Sequence, residues 1–311
     1  MQPTSLVYSS HDRSNLIHDE WIVQRALRGN KRILFLPLST PEDADDSTRN
    51  QQSAWDAFNW FFWYYGAYEL DAFPFMVHSR LRPEDVDQLW HSLSTAEVVI
   101  LGGGNPKLGM QRFRSLGERF GSEPGRFQRI LHERKAAGLL TAGFSAGADQ
   151  LCQLMSSASG LGVETPGLAI ATRVIATSHF EPAQQAWVAE LARAFPYCLT
   201  FGLPNDSALA VSEGRTAKGS IWQVIEVVID DTWDRPSDEF HIKTRQGIPV
   251  FHVGSDGRQL GFRGGDKLVR IFEEQGAPGA TFVALSHAPI FDYQTQTPVA
   301  FKTVEEILAA F

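Results

Sequence analysis

Short apolar runs rich in β-branched residues recur along the first two thirds of this chain, separated by helical patterns of about ten residues or more. Residues 5–8 (SLVY), 33–38 (ILFLPL), 97–101 (EVVIL), 139–144 (LLTAGF) and 174–177 (VIAT) read as buried strands, and 209–211 lies in a further one. Residues 19–28, 127–137, the stretch from Ala146 and residues 183–195 read as helices, with Gly138 placed to end the second. Strands alternating with helices predict βαβ units. The expectation is an α/β fold whose mostly parallel sheet is covered on both faces.

After about residue 215 the texture changes. Residues 220–230, 240–244 and 250–253 read as strands, with glycine-rich turns at 254–257 and 261–265 and a closing helix over 303–311. This predicts an α/β core over 1–215 and a β-rich C-terminal extension over 216–311 packed on it. No Pro/Ser-rich linker marks the boundary, so it is soft.

Composition narrows the class. At 311 residues and 43% hydrophobic content, the chain can bury a normal core without disulfides or a structural metal. The net charge is −8, so no basic excess exists to neutralise phosphates, which argues against nucleic acid and anionic membranes as partners. The two cysteines, Cys152 and Cys198, exclude a Cys-rich zinc site and are expected as buried, reduced thiols. No basic segment followed by an apolar one opens the sequence, and no run approaches a membrane span, so a cytoplasmic protein is expected. Residues 55–75 (WDAFNWFFWYYGAYELDAFPF) are unusually aromatic. They read as an amphipathic helix in the core, as a substrate wall, or as a subunit interface that would make a homodimer.

The chemistry centres on residues 141–148, TAGFSAGA. Gly143-Phe144-Ser145-Ala146-Gly147 matches G-x-S-x-G between an expected strand and an expected helix, the context that motif requires. A nucleophile on so tight a turn needs small neighbours, and Gly143, Ala146 and Gly147 supply them. The helix start then offers free N–H groups to an oxyanion. A second signal, Gly102-Gly103-Gly104-Asn105, follows the strand EVVIL. It is neither G-x-G-x-x-G in register nor a Walker A loop, so no nucleotide cofactor is expected. Glycines at a strand end let backbone approach a ligand, and an N–H of Gly103 or Gly104 could complete an oxyanion hole with Ala146.

A base is needed, and nine histidines are available. His11, His18, His78, His91, His132 and His241 fall in expected loops or on helix surfaces, and His252 and His287 in the C-terminal region. His179 follows the strand VIAT at the edge where Ser145 should sit, so it is the candidate general base. No H-E-x-x-H or paired His/carboxylate spacing indicates a metal site.

The stretches LGGGNPKLG, GFSAGADQLC, ATSHFEP and FGLPNDSALAVSEG, in this order, resemble the peptidase E and cyanophycinase family of serine peptidases over roughly residues 1–215. The resemblance implies a class I glutamine-amidotransferase-like, flavodoxin-like three-layer sandwich. It implies Ser145 as nucleophile, His179 as base, and Gly103, Gly104 and Ala146 as the oxyanion hole. It also implies hydrolysis next to aspartyl residues, either of N-terminal Asp as in dipeptidase E or of β-Asp-Arg units as in cyanophycinase. The triad acid would lie between serine and histidine, where Gly160 stands near the start of the window and the nearest acid is Glu164. Glu181 competes, since two residues after His179 an extended chain projects to the same side. Asp149, a helical turn beyond Ser145, reads as a surface or helix residue. Arg173, Lys107, Asn105 and Arg112 are candidates to receive an aspartyl carboxylate, with Asn105 and Arg173 foremost. A small peptide is the expected partner. A non-catalytic small-molecule binder on the same fold is the reading from a different class. The chain departs from dipeptidase E in length, since that enzyme lacks most of the C-terminal region.

Overall fold

The computed structural model describes residues 2–10, 16–45, 48–78, 80–157, 163–230, 247–273 and 279–311. The expected strand at 240–244 and Gly160 lie outside these residues. The elements in order are β1 (Ser5–Tyr8), a π-helical turn (Ile17–Val23) running into α1 (Gln24–Arg28), β2 (Arg32–Leu36), α2 (Gln51–Phe58), α3 (Trp60–Gly66) and β3 (Asp71–Pro74). There follow α4 (Pro83–Thr95), β4 (Val98–Leu101), α5 (Pro106–Gly121), α6 (Arg126–Ala136), β5 (Leu140–Phe144), α7 (Ala146–Leu151), β6 (Val174–Thr177), α8 (Gln185–Ala194), β7 (Leu199–Gly202) and β8 (Ser207–Arg215). The remainder supplies β9 (Ile221–Ile229), β10 (Val250–Val253), β11 (Gln259–Phe262), β12 (Lys267–Phe272), β13 (Thr281–Ala284), β14 (Phe291–Asp292) and α9 (Val304–Ala310).

Five strands form a parallel core in the order β1-β5-β4-β2-β3. Their residues alternate between two cores. Val7, Leu34, Leu36, Val99 and Leu101 pack with α4, α5 and α6 on one face. Leu6, Tyr8, Ile33, Phe35, Val98, Ile100 and Phe144 pack with α1, α2 and α3 on the other. Two-sided burial explains why these strands read as continuous apolar runs. The strand expected over 33–38 stops at Leu36, because Pro37 has no N–H to donate to the ladder.

The sheet does not stay parallel. Beyond β1 it continues antiparallel through β8, β9, β12, β13 and β14, giving a mixed ten-stranded sheet. Residue 215 ends the first strand of the β8–β9 hairpin, so chain beyond it prolongs the same sheet. A second sheet, β11-β10-β7-β6, joins two strands from each side of that point. No helix among the described residues is long and apolar enough to cross a membrane.

The aromatic segment folds into α2 and α3. Phe58, Phe61 and Tyr65 are buried, while Trp55, Tyr68 and, at 77% exposure, Trp63 face outward. Phe61 stacks on Phe35 and on Phe144, the residue between Gly143 and Ser145. The buried rings therefore prop the G-x-S-x-G turn from beneath.

Candidate active site

Strands β1, β4 and β5 run parallel, so the segments that follow them emerge at one edge of the sheet, where open α/β sheets bind ligands. Ser9 follows β1, Gly102 to Asn105 follow β4, and Ser145 follows β5. Ser145 has φ 51° and ψ −112°, a backbone conformation that L-residues rarely adopt. Its N–H donates to the carbonyls of Tyr8 and Ser9, at 3.2 and 3.1 Å. Gly147 is required by close approach: a Cβ there would lie 2.1 Å from the Leu101 carbonyl oxygen of β4. Gly104 takes φ +125° and packs on the Ser39 carbonyl of the loop after β2, while Gly103 lies against the turn itself: a Cβ there would be 3.0 Å from the Phe144 ring and 3.5 Å from Ser145 Cβ.

His179 comes from the second sheet, just past β6. Its Nε2 lies 2.9 Å from Ser145 Oγ, and its Nδ1 lies 2.8 Å from Asn205 Oδ1. With the amide oxygen facing the ring, Nδ1 carries the proton and donates, and Nε2 accepts from the serine hydroxyl. Burial holds the His179 pKa below its ordinary 6.5, and the Asn205 bond opposes this in part. The imidazole is thereby kept neutral and able to accept a proton.

A cavity of about 290 Å³ opens over this pair, lined among others by Gly104, Ser145, Ala146, Asp149, Ser156, Ser157, His179 and Trp187. Asp149 is 4% exposed, against the surface reading from sequence. The reason is that all six residues of α7 are buried, so this helix has no solvent face. Its carboxylate accepts from the N–H groups of Ser156 and Ser157 and from the Ser157 hydroxyl. Burial outweighs these bonds and pushes its pKa up to about 6. A larger cavity of about 760 Å³ lies between the β9–β12 face and the segment around Thr303. It contains neither Ser145 nor His179, so the site is assigned to the smaller one.

The two carboxylates considered for the third position are elsewhere. Glu164 is exposed and accepts from Tyr197 Oη at 3.1 Å. Glu181 is exposed at the start of the short turn Pro182–Gln184, where its N–H donates to Gln184 Oε1. Asn205 stands beside His179 instead, in the turn between β7 and β8. The dipeptide Asn205-Asp206 after Pro204 is a turn signal, and nothing local in it announces contact with a histidine in another strand.

The expected substrate-binding residues are also redistributed. Arg173 precedes β6 and so lies at the end of that strand opposite His179. Its guanidinium sits over the Phe272 ring and donates to the Glu273 carbonyl. The Asn105 side chain caps α5, accepting from the N–H groups of Lys107 and Leu108 at 3.0 and 3.2 Å. Arg112 is buried and donates to the Leu38 and Thr40 carbonyls, bracing the loop after β2. Lys107 is exposed in the first turn of α5, next to the cavity-lining Pro106. Both cysteines are buried and unpaired with each other, and burial raises both thiol pKa values. His18 is buried, against the expected loop or helix surface, and His252 of the C-terminal region is buried as well. His18 bonds Tyr65 Oη, and His252 bonds the Thr200 carbonyl and Tyr293 Oη.

No protein-family model matches the chain, and a search of curated proteins finds no match. Among solved structures, the crystal structure of a peptidase from an acI-B1 Actinobacterium aligns with 84% of this chain and 99% of its own, at 15% identity and a TM-score of 0.48.

Proposed function

We propose that this protein is a serine hydrolase that cleaves amide bonds of small peptides through an acyl-enzyme. The observation that carries the reading is the 2.9 Å contact between Ser145 Oγ and His179 Nε2, with the serine on a left-handed turn at the sheet edge. His179 takes the hydroxyl proton as Ser145 Oγ attacks the carbonyl carbon. The backbone N–H groups of Gly104 and Ala146, with Gly103 adjacent, receive the oxyanion; one such donor is typically worth ~2.7–4 kcal/mol. The imidazolium then protonates the leaving amine, and water hydrolyses the ester by the reverse proton path. Asn205 fixes the tautomer and the ring angle. As a neutral amide, it stabilises the imidazolium less than a carboxylate would.

The finer reading follows the resemblance to peptidase E and cyanophycinase. It gives a class I glutamine-amidotransferase-like core and aspartyl peptides as substrates, α-linked as in dipeptidase E or β-linked to arginine as in cyanophycinase. Hydrolysis of Asp-X nitroanilides against β-Asp-Arg distinguishes these two. A non-catalytic binder on the same scaffold is the second reading, favoured by the amide at the third position. A fluorophosphonate probe separates enzyme from binder. Labelling of wild type and not of Ser145→Ala is the expected result, and equal labelling of both, or of neither, refutes the hydrolase.

A further inference from the structure

Ser9 and Ser10 follow β1 directly and take no part in the chemistry above. Yet all three members of the Ser145–His179–Asn205 arrangement are tied to them. The Ser9 carbonyl accepts the Ser145 N–H at 3.1 Å. The Ser9 hydroxyl accepts the His179 N–H at 2.7 Å and donates to the Leu203 carbonyl at 2.9 Å, in the loop that leads to Asn205. The Ser10 hydroxyl accepts the N–H of Asp206, the residue after Asn205, at 3.2 Å.

Ser145, His179 and Asp206 share a second property. Their φ values are 51°, 55° and 59°, in the left-handed region that non-glycine residues avoid. Such conformations persist where surrounding structure over-determines them. Here each of the three N–H groups ends on Ser9 or Ser10. Ser9 is fully buried, so bulk solvent cannot replace its hydroxyl as a partner.

We infer that Ser9 and Ser10 are positioning residues that couple the nucleophile turn, the base and its orienting amide, and so set the Ser145 Oγ to His179 Nε2 distance. Three segments distant in sequence converge on one dipeptide because β1 lies beside β5 on one side and β8 on the other. The coupling is read from geometry. Its catalytic consequence rests on the serine-hydrolase reading.

The test is fluorophosphonate labelling at several probe concentrations, which yields the maximal rate and the half-saturating concentration separately. Ser9→Ala should lower the maximal rate by roughly 10- to 100-fold with little change in half-saturation, since small misplacements of reacting groups cost about this much. Ser10→Ala should lower it less. Ser92→Ala, which removes a buried serine hydroxyl from α4, serves as control and should label like wild type. Wild-type rates in Ser9→Ala, or equal slowing in Ser92→Ala, overturn the inference. If Ser9→Ala does not fold, Ser10→Ala decides, and a wild-type rate there overturns it. If wild type does not label, the hydrolase reading fails. The coupling is then judged by the downfield proton resonance of His179 Nδ1–H, identified by its loss in His179→Gln. Its displacement in the serine variants supports the coupling, and an unmoved resonance overturns it.

Discussion

Asn205 Oδ1 and Ser145 Oγ hold opposite nitrogens of one ring, His179, at 2.8 and 2.9 Å. The amide dictates which nitrogen bears the proton, and so makes the other basic toward the serine. Asn205→Ala should therefore cost about 100-fold in kcat/KM, within the range of general-base contributions. In wild type, kcat/KM should fall on acidification with a midpoint below 6.5, because burial disfavours the imidazolium. Asn205→Asp places an anion at the ring and should move that midpoint up by about one unit or more. A pH–rate profile of the two variants checks both statements, and an unshifted limb in Asn205→Asp would refute the assignment.

Stability should respond to acid through two buried groups of opposite sign. Burial lowers the His252 pKa to about 4. The unfolded chain then binds the proton first, and stability is lost as pH falls from about 6.5 towards 4. Asp149 titrates at about 6 when folded, above its unfolded value, so the folded state takes the proton first. Its contribution rises as pH falls through 6, by about 1 kcal/mol between pH 7 and 5. Asp149→Asn removes this offset. Its unfolding free energy in urea should decline more steeply over that interval than that of wild type.

Gly147→Ala should disable the turn. The new Cβ would meet the Leu101 carbonyl oxygen at 2.1 Å, a backbone atom of β4 that cannot swing aside as a flexible side chain would. Overpacking of this kind costs about 1–3 kcal/mol. A lower melting temperature together with lost probe labelling is the expected pair of results. Normal labelling would show that β4 and α7 can separate without disturbing Ser145.

Two neighbouring rings of α3 should behave differently. Phe61→Ala removes a fully buried ring that stacks on Phe35 and Phe144, and should cost about 3–5 kcal/mol and slow labelling at Ser145. Trp63→Ala alters an exposed ring and should stay within about 0.5 kcal/mol of wild type. Urea denaturation of both variants gives the comparison.

Local patterns carried much of this architecture into view. The strands at 5–8 and 174–177, and the turn at Ser145, were legible because period, apolar runs and small residues are written within a few positions. His179 was legible because it directly follows a strand. Asn205 was not, because its place beside His179 is created by the pairing of β7 with β6, a tertiary fact. Arg173 was misassigned for a related reason: a residue that precedes a strand ends at the edge opposite one that follows it. Asp149 lies in a helix, one of the two readings, but its burial was not legible because a helix buried all round carries no amphipathic stripe to reveal its surroundings. The antiparallel continuation through β8 and β9 is equally non-local, since an alternating or apolar run does not state its direction.

The position of β7 has a consequence for synthesis. It lies between β6, made before it, and β10, made some fifty residues after it by the register Phe251 to Gly202. When residue 215 leaves the ribosome, Ser145, His179 and Asn205 all exist. The strand between the latter two still has one unpaired flank, however. Domains folding during synthesis leave such edges exposed to wrong partners. The edge most in need of protection is thus that of β7, throughout the interval of synthesis between the making of the site and the making of β10.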